Sequence, residues 1–301
     1  MNKLVSVVIT TYKRDSKYIK EAIESVLNQS YAPLEVIVID DNGKNTEYQK
    51  STEKLCLQYN NIYYYPNKMN MGAQISRNNG IRKSKGDFIA FLDDDDIWDK
   101  RKIEKQMLLF KDKCIGMVYC DGYSFVDGEK SKLHSFREAS IYDRPITHNM
   151  ELFNDWIGST SQALIRRECF DNIGMFDPDM PARQDYEMWL RISSKYKIVG
   201  TPEKLLYYRI HPGERISTNW NKCFSSYQLI LDKYKNDYNK NKYAKAKLIL
   251  RMVITCVRMK KYAKAFYYLI YSFCCSPQCL FDILKRKILR KGFAEYYSNI
   301  I

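Results

Sequence analysis

Four consecutive aspartates, Asp93 to Asp96, follow an apolar run in the segment KGDFIAFLDDDDIWDKR at residues 85–101. The run at 88–92 predicts a buried strand that ends at the aspartates. In open α/β sheets the carboxyl ends of the strands face the ligand crevice, and carboxylate oxygens suit Mg²⁺ or Mn²⁺. Adjacent carboxylates repel one another unless a cation or full solvation relieves the repulsion. The segment therefore predicts a metal site; the alternative is an acidic turn that caps a helix starting near residue 97.

The elements before this turn alternate between apolar strands and amphipathic helices. The pattern predicts strands at 5–10, 34–39, 62–65 and 88–92, with helices at 18–27 and 74–83. Continuous apolar strands that alternate with helices are typical of a parallel sheet covered on both faces. The first hundred residues are therefore predicted to form a nucleotide-binding type of α/β fold.

The chain after the acidic turn shows weaker signals. We predict a strand pair at 116–125, a polar loop at 127–149 that can act as a lid, a strand at 156–165, and helices at 167–173 and 185–196. Beyond residue 218 the composition shifts to Lys, Tyr and Leu, and helical patterns appear at 243–259 and 262–273. The predicted organisation is a catalytic domain at 1–217 and a basic helical region at 218–301.

The charge is unevenly distributed along the chain. The 301 residues carry a net charge of +14, and residues 221–301 hold 17 Lys/Arg against 4 Asp/Glu. The preceding 220 residues are nearly neutral, which argues against a nucleic-acid-binding protein. A basic amphipathic helix can lie on an anionic bilayer, so we expect peripheral membrane contact through the C-terminal helices. The alternative, which the sequence does not separate from it, is a helical subdomain with a solvated lysine face.

The cysteines and the N-terminal residues indicate the cellular compartment in which the protein is expected. The nine cysteines have no CxxC pair and no regular spacing, which indicates neither a disulfide framework nor a zinc site. The chain enters a strand-like run at once, without the charged and apolar regions of a cleaved signal. We therefore expect a cytoplasmic protein, at the inner face of the cell membrane if the basic helices bind lipid.

Six motifs in order closely resemble the family-2 glycosyltransferases, whose fold is called GT-A. They are VSVVITTYKR, LEVIVIDDNG, NMGAQISRNNGIRKSKGDFIAFLDDDDIW, IRRECFDNIGMFD, RQDYEMWLR and YYRIHPGERIS, and the resemblance covers about residues 4–217. The resemblance implies a mixed, mainly parallel sheet between helices. It also implies transfer of a sugar from a nucleotide-diphosphate sugar.

The resemblance assigns the metal site to an Asp-x-Asp element. Here that element is Asp93 and Asp95, with Asp95 the direct ligand, while the run of four leaves the register open and keeps Asp94 and Asp96 as neighbouring candidates. His211 matches a histidine that in some relatives completes the metal shell or contacts the diphosphate. Asp96 is expected to cap the helix at residue 97. The metal is expected to be Mn²⁺ or Mg²⁺.

The resemblance also implies a nucleotide site. Thr10 and Tyr12 match the positions that pack the base, and Asp40 matches the one that accepts a hydrogen bond from it. A carboxylate there selects a ring N–H, which favours a UDP-sugar, or a dTDP-sugar, over a cytidine nucleotide. Gly72 matches a glycine that allows close approach of the ligand, and Arg77 matches an arginine that pairs with phosphate. The alternative is that Gly72 forms the turn before a helix and Arg77 a structural ion pair.

Asp185 matches the base that takes the proton of the acceptor hydroxyl in inverting family members. This chain has Gln184 where the family commonly has Glu, and Glu187 is a weaker alternative base. We therefore expect an inverting, metal-dependent enzyme that extends a saccharide or lipid-linked glycan in cell-surface polysaccharide synthesis. The rivals are a catalytically silent scaffold that binds a membrane or partner, and a sugar nucleotidyltransferase, whose glycine-rich phosphate loop is missing from TTYKRDSKY.

Overall fold

The computed structural model describes residues 3–127, 134–135, 142, 144–210, 219–283 and 285. These residues separate into two compact units. The first unit takes its residues from 1–148, 156–179 and 184–213, and the second from 149–155, 180–183 and 214–301. The predicted boundary at 217/218 lies in the stretch 211–218, outside the described residues.

The N-terminal half of the first unit is a parallel sheet with the strand order β3-β2-β1-β4. Its strands are β1 (Val5–Thr11), β2 (Leu34–Asp40), β3 (Ile62–Pro66) and β4 (Phe88–Asp93). The connecting helices are α1 (Ser16–Leu27), α2 (Glu47–Cys56) and α3 (Ala73–Lys83). This arrangement confirms the predicted β-α-β units.

The rest of the sheet is mixed. From β4 the order continues β8-β6-β9-β5; β8 is antiparallel to β4 and β6, while β6 and β9 are parallel. The strands are β5 (Ile97–Trp98), β6 (Ile115–Val126), β7 (His134–Ser135), which pairs with β6, β8 (Ala163–Arg166) and β9 (Lys197–Ile210). The further helices of the first unit are α4 (Lys102–Met107), α6 (Arg167–Ile173) and α7 (Gln184–Lys195), whereas α5 (His148–Phe153) belongs to the second unit except for its first residue.

Apolar strands covered on both faces explain why this sheet forms. Val7 and Val8 point to opposite faces of β1, yet both are fully buried. Helix α3 approaches β1 so closely that a Cβ added at Gly80 would lie 2.2 Å from Val8 Cγ1. The glycine therefore brings α3 close to β1, and α3 presents its first turn beside the strand ends that form the site.

Several expectations about single elements were wrong. No helix starts at residue 97: Ile97–Trp98 is a short strand paired with β9, and the helix begins at Lys102. The strand expected at 156–165 is only Ala163–Arg166, preceded by a 3-10 turn at Thr160–Gln162. The strand pair expected at 116–125 is one strand. The small side chains at 158–161 gave no side-chain signal to separate a turn from a strand.

The second unit is helical in its described part. It contains α8 (Trp220–Lys233), α9 (Lys235–Lys240), α10 (Lys242–Arg258) and α11 (Tyr262–Cys275). Within the unit, Arg251 Nη2 donates to Asn154 Oδ1 over 2.7 Å, and Lys247 Nζ lies 3.3 Å from the centre of the Phe153 ring. Across the described residues, no helix is both long and apolar enough to cross a membrane.

Candidate functional site

The ends of three parallel strands bring together the residues predicted to bind the donor. In the register of β1 and β4, Thr10 is opposite Asp93, and in that of β1 and β2, Thr11 is opposite Asp40. The backbone N–H of Tyr12, just past β1, donates to Asp94 Oδ2 over 3.4 Å. Five of the predicted residues therefore meet at the carboxyl edge of the sheet, which is where open α/β sheets bind ligands.

The four aspartates divide by exposure. The side chains of Asp93 and Asp95 are 31% and 17% exposed, whereas that of Asp94 is 7% exposed and Asp96 is fully buried. The first and third carboxylates are thus the accessible pair, which is the spacing of the predicted Asp-x-Asp element. The chain reverses at once through a turn in which the Asp96 N–H donates to Asp93 O over 3.1 Å.

Two arginines offset the charge of this turn. Arg77 Nη2 donates to Asp93 Oδ1 over 2.8 Å. Arg14 donates from Nε to Asp94 Oδ1 over 2.8 Å and from Nη2 to Asp95 Oδ2 over 2.7 Å. For Arg77 the sequence predicted contact with phosphate or an ion pair, whereas Arg14, in the loop between β1 and α1, was not predicted as a site residue. The sequence hinted at a role for Arg14 only through its place two residues after Tyr12.

Burial shifts the pKa values of the two inner aspartates. Burial raises the pKa of Asp94 to about 6, although the Arg14 guanidinium works in the opposite direction. Burial also raises the pKa of Asp96 well above its usual range, with the charges of Asp95 and Asp93 adding to it. Asp96 does not cap a helix as expected: its Oδ1 accepts from the backbone N–H of Arg209 over 3.2 Å.

Asp40 is fully buried where β2 ends. Its Oδ1 accepts from the Asn42 backbone over 2.9 Å and from Asn42 Nδ2 over 2.8 Å, and its Oδ2 accepts from the Tyr64 hydroxyl over 2.8 Å. Burial raises the pKa of Asp40, and these donors lower it. Oδ1 already accepts two of these bonds, but Oδ2 accepts only one of them and can accept a second from a base.

Gly72 forms the entry to α3. Its φ of 91° lies in the region that favours glycine, and its N–H donates to Asp41 Oδ2 over 2.9 Å. Asp41 Oδ1 also accepts from the Met71 N–H and Asn67 Nδ2, over 2.8 and 2.7 Å. Asp41 therefore fixes the loop before α3. Tyr12 is 43% exposed, which leaves ring area for stacking on a base.

Asp185 lies in the first turn of α7, half-buried, with its Oδ1 accepting from the Tyr186 N–H over 2.8 Å. Gln184 Nε2 is 3.5 Å from Gln74 Oε1, so the start of α7 approaches the start of α3. The alternative base, Glu187, is fully buried and paired with Arg191 at 2.8 Å. Glu187 thus has a structural partner, and Asp185 is the more accessible carboxylate of the two.

Arg209 of β9 was not predicted as a site residue, yet it holds the acidic turn in place. Its Nε donates to Asp95 O over 2.9 Å, its Nη1 to Asp127 Oδ1 over 2.6 Å, and its Nη2 contacts Glu21. The side chain is 1% exposed, and no local pattern could indicate such a contact across 114 residues. His211 and most of the predicted lid at 127–149 lie outside the described residues.

The donor set of the acidic turn fits a hard divalent cation only in part. Asp93 and Asp95 supply accessible carboxylate oxygens, but among the described residues there is no group of three His, Cys, Asp or Glu side chains that could hold a metal. Mg²⁺ commonly binds through one or two carboxylates together with water and substrate phosphates. The turn therefore suits a cation that arrives with a diphosphate better than a permanently bound one.

The fold and the site define the class of the protein. A parallel α/β half with an acidic turn at its carboxyl edge, continued into a mixed sheet and followed by helices, is a GT-A type of architecture. The sequence model described as Glycosyl transferase family 2 matches residues 6–174, more than half of the chain. The chain belongs to this family, and it is a glycosyltransferase.

Relatives agree with this assignment. The putative teichuronic acid biosynthesis glycosyltransferase TuaG of Bacillus subtilis is 31% identical over 72% of this chain and 83% of its own length. An uncharacterized glycosyltransferase of Rickettsia prowazekii is 30% identical over 72% of this chain and 67% of its own length. A relative from Rickettsia bellii is also 30% identical, but the match spans only 34% of its length.

Solved structures agree in fold. TarS 1-349 of S. aureus in complex with UDP-GlcNAc has a TM-score of 0.68 at 16% identity, over 89% of this chain and 79% of TarS 1-349. The mannosyltransferase PcManGT of Pyrobaculum calidifontis, in complex with GDP-Man and Mn²⁺, has a TM-score of 0.54 at 15% identity, over 96% of this chain and 79% of its own. At these identities the likeness concerns the fold alone.

Proposed function

We propose that this glycosyltransferase is inverting and metal-dependent, and that it moves a sugar from a UDP-sugar, or less favourably a dTDP-sugar, to a saccharide or lipid-linked glycan. The transfer serves cell-surface polysaccharide synthesis on the cytoplasmic side of a membrane. The observation that carries the proposal is the meeting of Asp93, Asp95, Arg14 and Arg77 at the carboxyl edge of the parallel strands. Such a set of oxygens and guanidinium groups suits a diphosphate with its cation.

The choice of donor rests on the base site and on similar proteins. A carboxylate at Asp40 and an exposed ring at Tyr12 support a uracil-like base, which offers a ring N–H and a flat face. TarS, similar in fold, binds UDP-GlcNAc, and TuaG is named for teichuronic acid biosynthesis. PcManGT binds GDP-Man, so a guanosine donor is the alternative that an experiment must separate.

In the proposed reaction, Asp185 takes the proton of the acceptor hydroxyl while the acceptor oxygen attacks the anomeric carbon. The new C–O bond forms on the face opposite the diphosphate, whose C–O bond breaks and whose oxygen keeps the electron pair. A cation held by Asp93 and Asp95 would supply Lewis-acid stabilisation of the leaving diphosphate. Arg14 and Arg77 hold these carboxylates in place before the donor binds.

The two rival functions lose support from different observations. A nucleotidyltransferase would need a glycine-rich loop after β1. The chain between β1 and α1 is YKRD at residues 12–15, which contains no glycine. A silent scaffold would not need the carboxylates at 40, 93, 95 and 185, which are all present. Membership of a glycosyltransferase family weighs against both.

The test is thermal unfolding of the protein with UDP, dTDP, GDP, CDP and ADP, each with and without Mn²⁺. A ligand at about 100 times its dissociation constant adds about 2.7 kcal/mol to the free energy of unfolding, provided that it binds only the native state. We expect UDP to raise the unfolding temperature, and this rise to depend on Mn²⁺. Stabilisation by GDP alone, or by UDP equally well without metal, would contradict the proposal.

A pair of variants localises the effect. In Asp95→Asn the Mn²⁺-dependent rise with UDP should disappear, because one of the two accessible carboxylates is lost. The matched control is Asp87→Asn, which makes the same change at the opposite end of β4, where the side chain is 48% exposed and pairs with Lys3. The control should keep the full response to UDP and Mn²⁺.

A further inference from the structure

Helix α11 leaves several of its large apolar and aromatic side chains exposed. Of its 14 residues only Ala265 and Ser272 are buried. Five large side chains are between 47% and 65% exposed, and together we call them the aromatic face: Tyr262, Phe266, Tyr267, Ile270 and Phe273. Four of them follow one another at spacings of four, four and three residues, which places them along one side of the helix.

The packing of α11 inside the second unit fixes this orientation. Ser272 Oγ donates to the backbone oxygen of Ala246 in α10 over 2.9 Å, and Ala265 is buried on the same helix. The small side chain of Ser272 thus lies against α10. Tyr271 lies on the same side, with its ring centre 5.4 Å from Lys245 Nζ of α10, whereas the side chains of the aromatic face stay exposed. Although the Tyr267 ring contacts the Tyr268 ring, each side chain of the aromatic face is at least 47% exposed among the described residues.

Further exposed apolar side chains lie outside α11 in the second unit. Ile254 and Val257 of α10 are 56% and 48% exposed and line an open depression together with Tyr262, and Phe281 is 64% exposed past the end of α11. Soluble monomers rarely expose large contiguous apolar patches, and those that do commonly use them for binding. The patch is thus a candidate interaction surface.

The charges around the patch select its partner. The exposed cations Arg258, Lys260 and Lys261 precede α11, and Lys285 follows it. Within α11 the single charged residue is Lys264, whose Nζ lies 4.1 Å from the centre of the Phe224 ring. Aromatic side chains flanked by lysine and arginine match an anionic bilayer, in which rings sit at the headgroup level and cations meet phosphates.

A second copy of the chain fits this surface less well. Residues 221–301 carry 17 Lys/Arg against 4 Asp/Glu, so two such units would bring like charges together. Lysine is also depleted in protein–protein interfaces, whereas it is common at membrane surfaces. Charge complementarity therefore favours lipid over self-association.

We propose that the aromatic face of α11, with Ile254, Val257 and Phe281, docks on an anionic phospholipid surface and holds α11 in the plane of that surface. The proposal concerns a surface of the second unit and needs neither the donor nor the transfer reaction. It consequently stands or falls separately from the proposed function.

Co-sedimentation of the full chain with vesicles tests it. Vesicles of phosphatidylcholine alone are compared with vesicles that contain phosphatidylglycerol at about a third of the lipid, at low and high salt. We expect at least tenfold tighter binding to the phosphatidylglycerol vesicles and weaker binding as salt rises, because salt screens exposed charges. Equal binding to both vesicle types, or none to either, would overturn the proposal.

Variants identify the surface. Phe266→Ser with Phe273→Ser should weaken vesicle binding at least tenfold while the unfolding temperature stays within a few degrees, because both side chains are exposed. If this pair does not fold, Tyr262→Ser with Ile270→Ser removes two other members of the same face. The matched control is Leu57→Ser with Tyr63→Ser in the first unit, where the side chains are 77% and 50% exposed.

The same variants also distinguish lipid binding by the aromatic face from the two alternatives, self-association and lipid binding by another segment. Light scattering measures the oligomeric state. If the wild type were a dimer and the Phe266→Ser/Phe273→Ser variant a monomer, with vesicle binding unchanged, the aromatic face would bind a second copy of the chain and the proposal would be overturned. A third outcome is that neither double variant of the aromatic face changes vesicle binding, whereas replacing the cations at 286–291 by glutamine abolishes it. That result would overturn the proposal and assign lipid binding to the C-terminal segment of the chain.

Discussion

The acidic turn gains its specificity from a difference in exposure between chemically identical side chains. Asp93 and Asp95 keep accessible oxygens, while Asp94 and Asp96 are turned inwards, where burial raises their pKa values. Four equal charges would repel one another, but Arg14 and Arg77 contact three of them. A run that is ambiguous in sequence therefore offers one Asp-x-Asp pair to a ligand.

Asp185 carries the prediction at the residue scale. Replacing it by asparagine should lower kcat for transfer by about 10² to 10⁴, the usual contribution of general acid–base catalysis. The asparagine oxygen can still accept the hydrogen bond that Asp185 Oδ1 receives from the Tyr186 N–H, so we expect α7 to form normally. Transfer rates and UDP-dependent unfolding temperatures, measured on the same variant, provide the check.

The control for this variant is Asp179→Asn, which removes an exposed carboxylate six residues earlier in the chain. It should leave both kcat and the unfolding temperature unchanged. If Asp185→Asn transferred sugar as fast as the wild type, the base would be wrongly assigned. If it lost stabilisation by UDP as well, the residue would be needed for donor binding rather than for proton transfer.

At the scale of elements, the short strand β5 and helix α4 show how a buried cation is tolerated. Lys102, the first residue of α4, is fully buried; its Nζ donates to Gln106 Oε1 over 2.7 Å and lies 4.0 Å from the centre of the Trp98 ring. Burial lowers the pKa of Lys102 from 10.5 to about 8. The hydrogen bond and the ring offset only part of the cost of burying the ammonium.

This shift predicts a pH dependence of stability. Between pH 8 and 10.5 the unfolded chain binds the Lys102 proton and the folded protein does not, so this residue makes the free energy of unfolding rise with pH. The variant Lys102→Met should therefore be more stable than the wild type at pH 7 by about 1–3 kcal/mol, with a smaller gain at pH 9.5. Urea unfolding at both pH values measures the difference.

Lys105→Met is the matched control, because Lys105 lies on the same helix with its side chain 32% exposed and 3.5 Å from Glu203. It should change the free energy of unfolding by less than about 0.5 kcal/mol at either pH. A Lys102→Met gain that is equal at both pH values, or larger at pH 9.5, would refute the buried-ammonium interpretation.

For the molecule as a whole, the cysteines report which parts of the chain are accessible. All nine are free; Cys114 and Cys274 are exposed, Cys275 is half-buried, and the other six are buried. Burial raises the pKa of both Cys56 and Cys169 to about 12, which keeps these thiols protonated and unreactive at pH 8.

We therefore expect a thiol reagent such as Ellman's reagent to modify the two exposed cysteines rapidly in the native protein at pH 8, Cys275 more slowly, and all nine after unfolding. The variant Cys114→Ser should lose one rapidly reacting thiol, while Cys169→Ser should lose none. Rapid modification of more than three thiols in the native protein would show that the described packing does not hold in solution.

The sequence by itself determined the elements whose local pattern is strong. The apolar runs of β1, β2 and β4 and the pattern of α6 up to Gly174 were predicted to within about one residue, because a strand buried on both faces must be continuously apolar and glycine readily ends a helix. The aspartate run and the order of motifs likewise indicated the family. These signals are local, so no three-dimensional information was needed.

Only the tertiary structure decided which side chains meet. The contacts of Arg14 with the acidic turn join residues 80 and 81 positions apart, and the contact of Arg209 with Asp95 spans 114 positions. The strand at Ile97–Trp98 forms because β9 supplies its hydrogen-bond partners, although the local sequence predicted a helix. The sequence also could not predict that the aromatic face points outwards, because this depends on which side of α11 packs against α10.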